Sequence, residues 1–471
     1  MTSTYPLSRP AFRVIIVGAG LAGLMMGILL DKMGISYTIL ERAPKVRPLG
    51  ALMSLNGNIL ALFDQLGLLE DVMKISKINH STTLYNEKLE KLAEVGVSDY
   101  KDLTGYEYIV FSRPELYELI RQCVPEEKVL MGKRVNKIRQ LPLNGGVEVI
   151  CHDHSVYTTD ILIGADGAYS TIRYHMYKNM TETGTLPNSD AEELAMPYVC
   201  MVGTTTPQDP EKYPELKDPV THLRHVIGNE GPYSWTVITI PGNRFCWSVM
   251  AQVTDPEEAR QMRQNNLEWR PEATESLVNM IRNYPIAFGG EGAVLGDILD
   301  VTPKDVMSKV MLEEKLFETW YDGNIVLIGD ACHKMLPTSG QGAINAMQDA
   351  TILANCLYDL EDLSPESILK TFSDYRDQRY THAKKQVANS QLNAKISSGQ
   401  TLKEKVIRHV VLNFLPQWVF SRSFVKSAAY RPQVTFLPMV PDKGTVASLP
   451  QKPSKRHQAE QAGQVTVVDS V

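Results

Sequence analysis

Uncharged positions first run together between Val14 and Leu30, seventeen residues inside the stretch RVIIVGAGLAGLMMGILLDKMG (13–34). The run is not uniform. RVIIV is short and β-branched, as a buried strand requires, whereas LMMGILLDKMG has helical spacing and stops at Gly34. A second strand-like run, SYTIL, ends at Glu41. A strand leading into a glycine turn and then a helix returns twice, in TTDILIGADGAYSTIR (158–173) and in GNIVLIGDACHKMLPTSGQGAINAMQDATILANCL (323–357). Between these, YVCMVGTTT, THLRHVIG, SWTVITIPG and RFCWSVMAQV alternate or are rich in aromatics, with turn signals around them, which predicts a separate sheet. DPEEARQMRQNNLEWRPEATESLVNMIRNY reads as a helix with a solvated charged face. After residue 365 the chain reads as one long polar helix, then as the apolar, basic stretch LKEKVIRHVVLNFLPQWVFSRSFVKSAAY (402–430), broken at Pro416. From about Pro450, PQKPSKRHQAEQAGQ is polar and reads as disordered. The alternation of strands and helices, interrupted and then resumed, predicts an α/β chain with a discontinuous first domain.

The opening run suits either a membrane anchor or a strand and helix that grip a nucleotide. A spanning helix needs roughly 20 apolar residues and tolerates glycine only sparingly. Here Gly18, Gly20, Gly23 and Gly27 fall within ten positions, and the first three spell G-A-G-L-A-G between strand and helix. In that pattern Gly18 permits the tight turn, Gly20 lets the backbone approach a pyrophosphate, and Gly23 lets helix and strand pack closely. Glu41 lies eighteen residues past Gly23, placed to accept hydrogen bonds from ribose hydroxyls. Its charge disfavours a 2′-phosphate, so FAD or NAD fits better than NADP. The nucleotide reading is preferred.

Composition narrows the remainder. The 471 residues are 43% hydrophobic and 22% charged, ordinary for a soluble protein, and a net charge of −6 gives no reason to expect nucleic acid. Cys123, Cys151, Cys200, Cys246, Cys332 and Cys356 are scattered, which fits a reducing compartment. With no cleavable signal pattern, the expected localisation is cytoplasmic. His152 and His154 flank Asp153, and His222 and His225 flank Leu223-Arg224, but neither pair has further ligands nearby, so no metal is expected.

Taken in order, the amino-terminal G-x-G-x-x-G, the central Asp166-Gly167 and the late Gly329-Asp330 resemble the class A flavoprotein monooxygenases, the para-hydroxybenzoate-hydroxylase-like family, over about residues 12–375. The resemblance implies a discontinuous Rossmann-like FAD-binding domain (10–185, with 80–105 on the substrate side, and 296–365). It further implies a mixed-sheet substrate domain (186–295), C-terminal helices (366–430) and an irregular, disordered tail (431–471). Glu41 takes the ribose-binding role, Arg113 matches an arginine preceding a helix along the cofactor, and Asp330 matches the aspartate on the ribityl chain. Ala51 and Ser54 fall in a cofactor-binding segment where relatives often carry glycine. The helix starting near Gly342 and Ala343 would aim its amino terminus at the pyrimidine edge of the flavin. Two roles stay open for Asp166: cofactor contact, or a cap in a strand-to-helix turn. His333 likewise reads as a proton relay or, more simply, as a residue that orders the loop.

The resemblance also implies the chemistry. NADPH or NADH reduces FAD without a second nucleotide fold, O2 is captured as a flavin C4a-hydroperoxide, and an electron-rich alkene or phenolate takes the distal oxygen. DACHKMLPTSGQGAINA and YRPQVTFLPMVPDKGTV (430–446) are similar to the fungal secondary-metabolite branch, which includes PaxM-like epoxidases. The expected substrate is a small apolar terpenoid, meroterpenoid or polyketide intermediate, to be epoxidised or hydroxylated. The alternatives are a phenol hydroxylase with the same cofactor machinery and a non-catalytic FAD-binding regulator. Arg224 and Tyr233 lie in strands expected to face the flavin, where related hydroxylases use an arginine and a tyrosine to hold a phenolate. Residues 402–430 read either as a helix packed on the FAD domain or as peripheral membrane contact for an oily substrate.

Overall fold

The computed structural model describes residues 10–45, 52–96, 99–142, 145–229, 231–253, 271–414 and 425–468, with isolated positions from 255 to 261. Its organising element is a six-stranded sheet in the order Tyr321–Asp322, Ile325–Leu327, Ile161–Gly164, Arg13–Val17, Ser36–Leu40 and Val129–Leu130. Every neighbouring pair is parallel except the outermost one at Tyr321–Asp322. Val17 pairs in register with both Gly164 and Leu40, and Gly164 with Leu327. Parallel strands present their carboxyl ends along one edge, so the turns that begin at Gly18, Glu41, Ala165 and Ile328 share that edge although they span the chain.

The helix Leu21–Met33 buries all but two of its residues between this sheet and the helix Gly342–Tyr358. Its glycine-rich, uncharged face is covered by protein. A Cβ placed on Gly329 would stand 3.3 Å from Ala22 Cβ and 3.2 Å from Ala346 Cβ, so these three small residues let both helices close over the late turn.

A ten-stranded mixed sheet forms the second layer. Its path runs His333–Lys334, Ser308–Leu316, Ala195–Thr204, Arg244–Gln252, Tyr233–Ile240, Val220–Ile227, Lys77–Asn86, Ile109–Ser112 and Leu52–Leu55, with Lys91–Gly96 pairing beside Lys77–Asn86. Strands from 52–112 and 308–334 thus join those from 195–252, and the sheet extends well beyond residues 186–295. The helix Pro365–Ser398 crosses both layers, burying Ile368, Phe372, Tyr375, Arg379, Ala383 and Ser390 at spacings of three, four or seven residues.

The tail departs from its expectation. Among the described residues after Tyr430, Val434 and Phe436 are buried, and Phe436 stacks on Tyr358 with ring centroids 4.5 Å apart. Gln65 brackets Val434 from both sides of its peptide, accepting from its N–H at 2.9 Å and donating to its carbonyl at 2.9 Å. The helix Lys455–Val468 is anchored where Asp359 accepts from Ser454 Oγ at 2.6 Å and Arg456 N at 3.1 Å. A polar composition concealed this docking, because most of its contacts are hydrogen bonds to partners distant in sequence. Trp418, Phe420 and Phe424 of the stretch 402–430 lie outside the described residues.

Candidate active site

The Gly-rich turn is built around backbone geometry that only glycine supplies. Gly18 has φ 105°, and any Cβ there would run into the carbonyl of Ala165, so this position needs both the left-handed freedom and the missing side chain. A Cβ on Gly23 would collide with the carbonyl of Gly18, whereas one on Gly20 would meet nothing within 4 Å. Gly23 therefore sets the helix-to-strand distance, and Gly20 faces open space above the helix amino terminus. That helix has no side-chain cap and no acid in its first turn. Glu41 accepts from the N–H of Ala19 at 2.8 Å through one oxygen and from the N–H of Ala43 at 2.8 Å through the other. Beyond the ribose contact expected of it, it braces the turn, and each oxygen keeps a lone pair for a hydroxyl.

At the late turn, Gly329 adopts φ 65° and donates its N–H to Asp349 Oδ2 at 2.8 Å. His333 Nε2 lies 2.6 Å from the same oxygen, and Arg379 Nε reaches Asp349 Oδ1 at 2.7 Å, all three side chains being buried. Burial alone would raise the Asp349 carboxyl; His333 and Arg379 outweigh it and hold it below the usual carboxylate range. Arg379 also donates to Asn345 Oδ1 at 2.9 Å and to Tyr430 Oη at 2.9 Å. His333 is thus positioned as a loop-ordering residue. Cys332, His333 and Asp349 stand close enough to share a metal, but Asp349 already neutralises Arg379 and both its oxygens are engaged.

Asp330 stays partly exposed and accepts from Lys334 Nζ at 2.6 Å; its charge, the largest influence, keeps the Lys334 ammonium above its ordinary range. Arg113, exposed at the start of the helix Arg113–Gln122, acts electrostatically on that same Lys334 and on Tyr117, which also feels Glu41. Gly18, Glu41, Arg113 and Asp330 are therefore brought to one region. Gly340 has φ 63°, and Ser54 Oγ lies 2.6 Å from where its Cβ would stand; Ser54 in turn accepts from Tyr108 Oη at 3.1 Å. The helix Gly342–Tyr358 starts beside them, at Gly342 and Ala343, without a side-chain cap. Ala51 lies outside the described residues.

Of the expected site residues, Asp166 takes one of its two open roles, and Arg224 and Tyr233 are placed differently from their sequence reading. Asp166 caps the helix Thr171–Glu182, accepting from Ser170 Oγ at 2.5 Å, Thr171 N at 2.7 Å and Ile172 N at 3.2 Å, so the capping alternative accounts for its carboxylate. Arg224 and Tyr233 are corrected more fully. Strand register puts Arg224, Tyr233, Trp235 and Val237 on the face of the large sheet that packs on Ile281, Phe288 and Leu295. Arg224 pairs with Glu215 at 2.9 Å and lies over the Phe288 ring, and Tyr233 Oη contacts Met280 Sδ at 3.0 Å. The opposite face carries Tyr198, Cys200, Met250 and Leu312, clustered with Leu336 just before the Pro337–Ser339 turn. In a strand of period two, assigning a face from local motif similarity alone inverts every side chain if it slips by one.

Asp349, Arg379, Lys334 and Tyr108 were not singled out from sequence. The one available signal was Arg379 recurring with Phe372, Tyr375 and Ala383 on the buried stripe of a helix that otherwise reads as polar.

These residues fit a long anionic dinucleotide on the structure's own terms. Two helices of 13 and 17 residues start without side-chain caps, Gly20 leaves room for a phosphate, and Ser339 Oγ is buried without a partner. Fold and site together define an FAD-binding oxidoreductase, and the chain belongs to the family described as FAD binding domain, whose model matches residues 11–194 and 293–390. It is an FAD-dependent monooxygenase of class A, with FAD as cofactor and NAD(P)H as reductant. Among curated proteins it is 29% identical to the FAD-dependent monooxygenase ausM of Penicillium brasilianum, covering 94% of this chain and 93% of the other. It is 27% identical to the FAD-dependent monooxygenase atmM of Aspergillus flavus, covering 92% and 88%. Among solved structures, Klebsiella pneumoniae HpxO complexed with FAD and uric acid superposes with a TM-score of 0.70 at 19% identity, covering 89% of this chain and 97% of that one.

Proposed function

We propose that this monooxygenase oxygenates an apolar terpenoid, meroterpenoid or polyketide intermediate of fungal secondary metabolism, with epoxidation of an alkene favoured over hydroxylation. The observation that carries this reading is the apolar face turned toward the Gly340 loop. Cys200, Met250, Leu312 and Leu336 cluster there with Ala394 of the long helix, while Arg224 is committed to Glu215 on the other face. A phenolate needs a nearby cation or base to hold it; an alkene needs only an apolar wall and correct placement.

FAD, once reduced by NAD(P)H, supplies the oxygen-activating chemistry. The chain's own residues bind and exclude. The free N–H groups at Gly342 and Ala343 stabilise negative charge presented to that helix end. Asp349 and Arg379 fix this helix against the Gly329 turn, and Leu336 with the sheet face keeps water from the reacting carbon.

The test is NADPH oxidation and oxygen uptake by the purified flavoprotein, with mass-spectrometric product analysis, over polyprenylated, polyketide and phenolic candidates. Expected is uptake stimulated by apolar alkenes and a product heavier by one oxygen with the alkene lost. Stimulation by phenols alone would favour the aromatic hydroxylase, and no stimulation by any candidate, the regulator.

A further inference from the structure

The sheet face turned toward the Gly340 loop carries a polar row between two apolar clusters. Strand register sets Val202 opposite Ser248, Ser248 opposite Thr236, and Thr236 opposite His225. Side chains two residues apart share a face, so one flank of this row adjoins Cys200 and Met250, which cluster with Leu336. The other flank adjoins Ile238 and Cys246, against whose cluster Tyr108 packs. Leu336 precedes the turn that ends at Gly340, and Tyr108 donates to Ser54 beside that glycine, so both flanks bear on the loop. Thr236 and Ser248, between the clusters, are partly exposed, and among the described residues nothing hydrogen-bonds to the Ser248 hydroxyl. Thr236 differs, because its proton is spoken for. His225 Nε2 lies 2.9 Å from the backbone carbonyl of Ser397, which can only accept, so Nε2 carries a hydrogen. His225 is buried; burial lowers its pKa, the charge of Arg408 acts in the same sense, and the ring stays neutral. A neutral imidazole has one N–H, so Nδ1 accepts, and Thr236 Oγ1, 2.8 Å away, donates to it. What Thr236 leaves exposed is an acceptor alone, beside a Ser248 hydroxyl that can donate.

We infer that Thr236 and Ser248 select a substrate that carries a free alcohol on its apolar skeleton. The alcohol O–H donates to Thr236 Oγ1, and its oxygen accepts from Ser248 Oγ. A ketone, aldehyde or ether oxygen can take the Ser248 bond but meets Thr236 lone pair against lone pair. A phenolate, having lost its proton, is disfavoured on the same ground. Sites that present a directed hydrogen-bonding group discriminate strongly against analogues unable to answer it, because a polar group is then left unpaired. The inference rests on the apolar-substrate reading above and refines it. The two clusters hold the hydrocarbon, and the polar row fixes how that hydrocarbon is turned toward the Gly340 loop. His225 acts through Thr236 as a positioning residue, anchored at its far side to the end of the helix Pro365–Ser398.

The experiment is titration of the full-length flavoprotein with geranylgeraniol, geranylgeranial and geranylgeranyl methyl ether, read by perturbation of the flavin absorbance. The three share one skeleton and differ at the oxygen. Thr236→Val and Ser248→Ala are run alongside the unaltered protein, with FAD content measured for each. Expected in the unaltered protein is a dissociation constant about tenfold lower for the alcohol than for the aldehyde or the ether. Thr236→Val should abolish that preference while the aldehyde binds as before, and Ser248→Ala should weaken all three and keep the preference. Equal affinity for the three compounds in the unaltered protein overturns the inference, as does a preference that survives Thr236→Val at full FAD content. Both of those outcomes leave the apolar-substrate reading standing. If none of the three compounds perturbs the flavin, that reading falls and the inference falls with it.

Discussion

Arg379 donates through Nε to Asp349 Oδ1 at 2.7 Å, and neither side chain reaches solvent. The pair joins the long helix to the helix that begins at Gly342, and the other oxygen of Asp349 holds the Gly329 turn. Arg379→Met would leave a buried carboxylate with His333 and the Gly329 N–H on one oxygen and no arginine on the other, and removing one partner of such a pair costs about 3–5 kcal/mol. Urea unfolding of the holoprotein should report that loss, with partial recovery when Asp349→Asn is added. A loss below about 1 kcal/mol would mean the pair is not what fixes the turn.

Glu41 ties the Gly-rich turn to the second strand through the N–H groups of Ala19 and Ala43. Glu41→Gln removes the charge and one of the two acceptors, a change worth about 1–2 kcal/mol, so FAD should bind about tenfold more weakly. Equilibrium titration of apoprotein with FAD measures it. An unchanged dissociation constant would assign the ribose end to another group.

His382 stacks on Tyr430 with ring centroids 3.8 Å apart, and burial, followed by the charge of Arg379, lowers its pKa to about 2. The unfolded chain would take up a proton near pH 6.5 while the folded chain would not. The stability this neutral ring contributes is therefore complete above pH 6.5 and lost as the pH falls below it, by up to about 1.4 kcal/mol per pH unit. His382→Gln should flatten the stability profile between pH 6.5 and about 4. Denaturant midpoints across that range, for both proteins, provide the check.

Arg224 and Tyr233 sit on the face of the sheet away from the Gly340 loop. Tyr233→Phe should leave kcat/KM within about twofold, and Arg224→Ala should act on stability, by about 1–3 kcal/mol, because it strands Glu215. Met250→Lys, by contrast, should depress turnover with an apolar substrate while FAD remains bound. Steady-state kinetics beside thermal melts separate these outcomes, and a large fall in kcat from Tyr233→Phe would contradict the register assigned here.

The turns and helix starts of the dinucleotide fold are legible in residue types alone. Gly18, Gly20, Gly23, Glu41, Gly329 and Gly342 are punctuation: each marks a strand end, a tight turn or a helix start, and such constraints are local and carried by residue type. The role of Asp166 was divided between a cofactor contact and a cap, and only the positions of the Thr171 and Ile172 N–H groups separate the two. Arg379 was hidden because a buried polar residue has the same letter as a solvated one. Val434, Phe436 and Arg456 were hidden because their partners, Gln65, Tyr358 and Asp359, are distant in sequence.

The amino-acid sequence by itself determined a parallel sheet with glycine turns at its strand ends, and hence a dinucleotide fold, because turn chemistry and hydrophobic period are properties of short segments. The tertiary structure decided which face of the large sheet meets the Gly340 loop, which polar residues are buried together, and which side of the helix Leu402–Phe414 points outward. Those are questions of register and docking. A shift of one residue in a strand, or a half-turn of a helix about its axis, changes every answer while leaving the local pattern as it was.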